Sequence, residues 1–303
     1  MAAREEPVRT IGAAVDAFLA RPDLAVSSRR SYAQTLNRLA SDLGAASALA
    51  ALDAGALDSA VLGAWGGCAP ATWNRHVATV RSFVAFCRRR GWLAAEVEVA
   101  VGVDRRREPA DRTRAIPYPQ LERLWRRSDV AVREKALWRL LYETAARASE
   151  VLSLDVGDVD LENRRAVVRS KGGDLELLHF QTGSARLLPR LIAGRTSGPV
   201  FVTDRRPAPG RAPATVDVCA VTGHARLSYR RAEEVFRAAS GGWTLHQLRH
   251  SAITHLAEDN VGLALLMAKS RHTSLRSLQR YARPSADAVA ALTAAHDRDR
   301  RRR

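Results

Sequence analysis

Three lysines, three cysteines and two methionines in 303 residues leave several chemistries without material. Cys68, Cys87 and Cys219 are odd in number, widely spaced and in no CxxC arrangement, which excludes a disulfide framework and a cysteine zinc site. All three are expected as reduced, buried thiols. Long apolar runs are missing too. The opening MAAREEPVRT mixes both charges, and uncharged apolar stretches such as Val261–Ala268 are far too short to cross a bilayer, so neither a signal peptide nor a membrane span is expected. These absences predict a soluble, cytoplasmic protein.

Because Lys135, Lys171 and Lys269 are the only lysines, arginine supplies 45 of the 48 cations, and against 32 acidic residues the net charge is +16, with an isoelectric point near 11.1. That balance points to a polyanionic partner, nucleic acid ahead of membrane. The excess is uneven: residues 1–103 carry +2 and residues 104–303 carry +14. Hydrophobic residues at 46% suffice for packed cores, and the length favours two domains over one.

Helix signals dominate the first hundred residues. Ile11, Val15, Phe18 and Leu19 suggest an opening helix. Tyr32, Leu36, Leu39 and Leu43 follow one helical face, with Ser27 or Ser28 as the expected cap and Gly44 as the stop; Leu57, Val61, Leu62 and Trp65 suggest a short helix. Trp73, Val77, Val80, Val84 and Cys87 form a further stripe, with Thr72 as the expected cap and Gly91 at the end. Opposite this stripe we place Arg75, Arg81, Arg88, Arg89 and Arg90 as candidate DNA contacts. These runs predict a four- or five-helix domain over about residues 8–103. The segment 104–114 (DRRREPADRTR) has no large apolar side chain, so it reads as a basic interdomain linker whose Arg105, Arg106 and Arg107 could follow a phosphate backbone. The second domain spans 115–303. Pro119 opens a helix with Leu121, Leu124 and Trp125, and a longer one carries Ala136, Leu137, Leu140 and Leu141. RAVVR (165–169) and LELLHF (175–180) flank SKGGD, a hairpin with Lys171 at its tip. Asp204–Ala214 reads as a basic loop, and from Thr244 onward short capped helices return.

Thr244 and Gln247 fit a capping box, which puts His246 and Arg249 on one face of the first turns of a helix, beside a buried stripe of Leu245, Leu248, Ala252 and Leu256. His246 and His250 have the spacing of a metalloprotease zinc helix, but Gln247 cannot serve as the general base, so the zinc reading fails. His76, His179, His224 and His296 carry no signal beyond packing or surface.

HQLRHSAITHL, residues 246–256, resembles the HxLRHSxATHL box of the tyrosine recombinases, the phage integrase and Xer-like DNA-rearranging enzymes. Their first arginine box, TGxRxSELLxLxxxDxD, is matched by Thr144 through Arg147, Glu150 and Leu154 to Asp158 and Asp160. Their hairpin lysine is matched by Lys171, and their second histidine box by Ser270, His272 and Leu275 running on to Tyr281. Arg271 stands where the family has glycine, and Thr144-Ala145-Ala146 lacks the usual glycine of the first box. The resemblance covers residues 115–285 by motif.

It implies a mainly α fold: a helical, SAM-like core-DNA-binding domain followed by a mixed α/β, predominantly helical catalytic domain with a small sheet. It implies Tyr281 as nucleophile, Arg147 and Arg249 gripping the non-bridging phosphate oxygens, His246 assisting proton transfer, Lys171 protonating the leaving 5′-oxygen, His272 as a further phosphate donor and Glu150 supporting the array. No cofactor and no metal are implied. The implied partner is double-stranded DNA at paired sites, bound by a protein monomeric in solution and homotetrameric or heterotetrameric on DNA, with its C-terminal helix exchanged between protomers. Two alternatives remain open: a type IB topoisomerase, which shares the chemistry on one duplex, and a DNA-binding regulator, which would not need all six active-site positions.

Overall fold

The computed structural model describes residues 9–97, 103–109, 114–170, 173–208, 210, 213–272, 274, 275, 278, 290, 293 and 294. Lys171 and Tyr281 lie outside them, as does the C-terminal helix expected after Pro284 except for residues 290, 293 and 294. The chain divides into two compact units, Met1–Ala110 and Asp111–Arg303. Among the described residues no helix is long and apolar enough to cross a membrane.

The first unit packs four helices, α1 (Ile11–Leu19), α2 (Val26–Leu43), α3 (Ala54–Trp65) and α4 (Pro70–Arg89). Local chemistry sets two of the starts. Thr10 Oγ1 accepts from Ala13 N at 3.2 Å, and Asp53 Oδ1 accepts from Ala56 N at 2.8 Å. Neither cap expected for the other two helices is used. The turn falls earlier, with Ala25 and Ala69 in extended conformation, so Ser27 and Ser28 sit inside α2, and Thr72 sits inside α4 behind Pro70, whose fixed φ suits the first turn. Gly44, at φ +84°, ends α2 in a conformation few other residues adopt. The expected stripes are buried, with Phe18, Leu36, Leu57 and Trp73 at their centre, whereas Leu62 is exposed.

Residues 104–108 behave differently from a free linker. Trp73 Nε1 donates to Asp104 O at 2.8 Å, and Asn74 exchanges bonds with the Arg106 backbone at 2.8 and 2.9 Å. The Arg106 guanidinium lies 3.9 Å from the Trp73 ring centre and donates to Gly66 O at 2.8 Å and Cys68 O at 3.2 Å. An arginine read as a backbone-tracking cation therefore spends its charge inside its own unit. Truncating it removes a cation–π contact and leaves two carbonyls with one donor fewer, so Arg106→Ala should cost about 2 kcal/mol, read by urea unfolding of the full chain.

His76 is stacked on Trp65 with ring centres 4.6 Å apart, and its Nδ1 lies 2.8 Å from Thr35 Oγ1. Burial, reinforced by the charges of Arg75 and Arg38, holds its pKa below the ordinary value. His255 of the second unit is likewise lowered, chiefly by burial. A depressed native pKa means that the unfolded chain binds the proton first. Stability is therefore complete above the unfolded value of about 6.5 and is lost as pH falls below it. The thermal midpoint should drop between about pH 7.5 and 5.5, ahead of general carboxylate protonation, and His76→Asn should flatten the part due to the first unit.

The second unit contains α5 (Tyr118–Arg126), α6 (Val132–Thr144), α7 (Ala148–Leu152), α8 (Thr182–Ile192), α9 (Tyr229–Ser240), α10 (Leu245–Glu258) and α11 (Leu263–Ser270). A three-stranded antiparallel sheet, β1 (Val159–Asp160), β2 (Arg165–Arg169) and β3 (Leu175–His179), runs in chain order. The hairpin is as expected, closing with Arg169 opposite Leu175 and Ser170 N donating to Asp174 O at 2.8 Å. The short β1 and the helices α7, α8 and α9 are not among the expected elements, although α8 buries Leu188 and Ile192 and α9 buries Ala232 and Phe236 at helical spacing. Helix α8 has no side-chain cap of its own; Glu143 of α6 accepts from Gln181 N at 2.9 Å and Ser184 N at 3.1 Å. The core centres on Trp138, Leu140, Phe201, Phe236 and Leu248. Helix α10 is pinned at Ser251, whose Oγ accepts from Ile116 N at 2.8 Å and donates to Gln247 O at 2.6 Å.

Candidate active site

The reciprocal Thr244–Gln247 box forms as expected, with Gln247 N donating to Thr244 Oγ1 at 3.3 Å and Thr244 N to Gln247 Oε1 at 2.8 Å. It fixes the start of α10, so His246 is the second residue of the helix and exposed, while Arg249 lies one turn on and is 3% exposed. A nearly buried guanidinium needs acceptors. Arg249 donates to Ala145 O at 2.5 Å and to Ser270 O at 2.6 Å, and its Nη2 lies 3.4 Å from His272 Nε2. One side chain thereby ties together the end of α6, helix α10 and the end of α11.

The first arginine is held by a different device. Arg147 is the residue before α7; its N–H donates to Glu150 Oε2 at 2.9 Å and its Nη1 to Glu150 Oε1 at 2.7 Å. The Glu150 side chain is 6% exposed and that of Arg147 44%, so the carboxylate anchors the stem while the guanidinium faces open space. Burial alone would raise the pKa of Glu150, but the bonds from Arg147 and the charges of Arg271 and Arg147 outweigh it and hold the carboxyl below its usual range.

His272 is held through Ser270. Ser270 Oγ lies 2.6 Å from Leu266 O, which can only accept, so the serine proton goes there. The contact between Ser270 Oγ and His272 Nδ1 at 2.7 Å is then a donation from Nδ1, and Arg249 Nη2 lies along the ring edge, 3.5 Å from Nδ1 and 3.4 Å from Nε2.

Arg147, His246, Arg249 and His272 converge on one cleft of about 280 Å³, together with Ser149, the serine of the first arginine box, and Tyr229, which carried no signal in the sequence. Among the described residues no three His, Cys, Asp or Glu side chains come together as a metal site. The spacing of His246 and His250 does not make them a pair: His246 is exposed, and buried His250 turns Nδ1 to Thr254 Oγ1 at 3.3 Å.

Both positions where the family pattern has glycine keep a left-handed backbone here without glycine. Ala145 ends α6 at φ +52° and Arg271 ends α11 at φ +55°, each at a cost of about 1 kcal/mol. The Arg271 guanidinium is buried, 8% exposed, between Glu150, with which it pairs, and Glu176 Oε2 at 2.7 Å. Arg271 and Glu176 are absent from the expected set; the departure from glycine was the one signal for them.

The arginines of the first unit do not form one face. Arg75 and Arg89 are exposed on α4 and Arg107 is exposed beyond it, but Arg88 is half-buried. Arg81 turns to Val103 O at 3.3 Å and Asp104 at 3.5 Å, and Arg90 lies over Phe86 and Trp92 at 4.7 and 5.2 Å. Arg105 pairs with Glu108 at 3.2 Å, and Arg106 is occupied as described above. The reason is helical phase: Arg81 and Arg88 lie beside the buried stripe rather than opposite it. Of the cysteines, Cys87 and Cys219 are buried and Cys68 only partly so.

Residues 115–287 match the phage integrase family. Tyrosine recombinase XerC of Mycobacterium tuberculosis (strain ATCC 25177 / H37Ra) is 30% identical, covering 90% of this chain and 92% of the relative, and that of Mycobacterium leprae (strain TN) is 30% identical over 89% and 91%. Among solved structures, the Tn1549 transposon integrase in complex with transposon right end DNA superposes with a TM-score of 0.68 at 13% identity, covering 95% of this chain and 99% of that one. A lambda integrase dimer bound to a COC′ core site gives 0.65 at 14% identity, covering 92% and 97%. These two likenesses bear on the fold alone, which is the mainly helical fold with a small sheet that the sequence implied. With the family matched across more than half its length and XerC relatives along nearly all of it, the chain belongs to the phage integrase family, the tyrosine recombinases.

Proposed function

We propose that this chain is a site-specific DNA recombinase that cuts and rejoins duplex DNA through a 3′-phosphotyrosyl intermediate. The observation that carries the proposal is the convergence of Arg147, His246, Arg249 and His272 on one cleft. Two guanidiniums held by Glu150 and by backbone carbonyls are preorganised for the non-bridging oxygens of a phosphodiester, where charge accumulates as phosphorus becomes five-coordinate. Tyr281 Oη attacks phosphorus while His246 takes up its proton. The bond to the 5′-oxygen breaks, and Lys171 supplies the proton that makes it a hydroxyl. His272, held by Ser270 through Nδ1, completes the ring around the phosphate as a further donor. Because the phosphotyrosyl ester conserves the bond energy, the 5′-hydroxyl of another strand reverses the step without ATP.

The partner is duplex DNA at paired sites, met by the exposed arginines Arg75, Arg89 and Arg107 and, once freed from their intramolecular contacts, Arg81, Arg88, Arg90 and Arg105. The helical domain of 8–103, the linker of 104–114 and the catalytic domain of 115–303 act on that DNA in the cytoplasm. Four protomers assemble on two duplexes, and the segment after Tyr281 passes between neighbours.

The test is a supercoiled plasmid with two copies of a site selected by the protein from a randomised duplex pool. Recombinant circles should form with EDTA present and no ATP added. Relaxation without recombinants would favour a type IB topoisomerase, binding without either would favour a regulator, and a strict need for Mg²⁺ would contradict the mechanism.

A further inference from the structure

We infer that Arg271 is a positioning residue that ties the β2–β3 hairpin, whose connecting turn carries Lys171 in the sequence, to Glu150, the carboxylate that holds Arg147. This rests on the functional reading above. The geometry is specific. Arg271 directly precedes His272, takes a left-handed conformation at φ +55°, and buries its guanidinium between the carboxylates of Glu150 and Glu176. Glu150 holds Arg147 on its other side, and Glu176 stands on β3, five positions beyond Lys171. The order Arg147, Glu150, Arg271, Glu176 is thus an alternating chain of charges, running from an exposed guanidinium in the cleft to the strand that leaves the lysine turn.

Two consequences follow from that order. Arg271 shares Glu150 with Arg147, so the carboxylate orients Arg147 without neutralising it fully, and positive charge is left for a phosphate. Arg271 also fastens the hairpin near its turn, through Glu176, the second residue of β3. A second tie holds the other end of the strand, where Lys269 Nζ donates to His179 O at 2.8 Å. Two glycines follow Lys171 in the sequence, and glycine leaves a backbone its widest conformational choice, so anchoring of the flanking strands is what can direct the lysine. Arginine suits the post because its extended guanidinium spans two carboxylates at once, hydrogen-bonded to Glu150 and in a close ion pair with Glu176, which a lysine ammonium does less well.

The experiment compares wild type, Arg271→Gly, Arg271→Lys, Glu176→Gln and Lys171→Ala on nicked duplexes of the selected site. The scissile linkage is either an ordinary phosphodiester or a 5′-bridging phosphorothiolate, whose sulfur leaves without a proton. Glycine adopts the left-handed conformation freely, so Arg271→Gly removes the clamp without adding strain; band shifts and thermal melting verify that each variant is folded. Arg271→Gly and Glu176→Gln should each cleave ordinary DNA about 10- to 100-fold more slowly, as loss of a residue that orients a catalytic group typically does, and the double variant should be no slower than the worse single. On the phosphorothiolate most of the Arg271→Gly and Glu176→Gln deficits should disappear, and Arg271→Lys should fall between Arg271→Gly and wild type. An equal loss on both substrates, or no loss, overturns the proposal. Lys171→Ala reports separately on the acid: if it is not rescued by sulfur, the assignment of Lys171 fails and takes the hairpin argument with it, whereas rescue of Lys171→Ala but not of Arg271→Gly overturns the clamp alone.

Discussion

Tyr281→Phe should abolish strand cleavage and recombination while leaving affinity for a single site nearly unchanged. The variant removes one oxygen, the atom that bonds to phosphorus, and retains the ring. Binding by a protein of charge +16 rests on arginine contacts to phosphates that this change does not touch, so the loss belongs to the chemical step. Titrated band shifts on one-site DNA and product formation on the two-site plasmid measure the two quantities side by side. A Phe variant that still produced recombinants would remove Tyr281 as nucleophile. A variant that failed to bind would mean that the tyrosine serves packing, the role a lone tyrosine usually has.

Arg249→Ala should be nearly as severe, for two separable reasons. Loss of a preorganised donor to a developing phosphorane charge costs about 10²- to 10³-fold in cleavage rate. The same guanidinium donates to Ala145 O and Ser270 O and lies against His272, so its removal also loosens the two loops that present Arg147 and His272. We expect about 10³-fold or more in cleavage, with a fall in stability of about 2 kcal/mol from the two buried carbonyls left without their donor. Arg249→Lys should restore part of the stability and little of the rate, because one compact ammonium cannot serve both carbonyls and a phosphate in fork geometry. Cleavage within a few-fold of wild type in either variant would show that Arg249 is a structural tie only.

What was legible in the sequence was whatever rests on periodicity or on short-range hydrogen bonding. The buried stripes of α2 and α4, the Thr244–Gln247 box and the hairpin around SKGGD are all determined by neighbours within a few residues, and all stand in the structure. Helix starts were less legible where two signals compete. Thr72 is a good cap, but Pro70 two residues earlier is a better first-turn residue, and the helix takes the longer option. Long-range use of charge was not legible at all. Arg106 reads as a linker cation until Trp73 and two carbonyls are seen around it, and Glu143 reads as the end of α6 although it caps α8, some forty residues later.

The candidate site divides in the same way. Arg147, Glu150, His246, Arg249 and His272 were named by motif, and all but Glu150, which lies behind Arg147, line one cleft. Their support was hidden, because Ala145 O and Ser270 O act through backbone carbonyls, which any residue has. Arg271 was visible only as a departure from glycine. Its partner Glu176 is a strand residue like many others until the fold places it against Arg271.

The central claim is a covalent link between this chain and the 3′ side of a broken strand. A nicked suicide duplex, whose short 5′-hydroxyl fragment diffuses away after cleavage, should accumulate a covalent adduct in EDTA that survives denaturation. Protease digestion of that adduct should yield a peptide containing Tyr281 joined to the 3′-phosphate, and the released end should accept a labelled phosphate directly because it is a 5′-hydroxyl. An adduct on any other residue, a link to the 5′ side, or a released end already carrying phosphate would contradict the account.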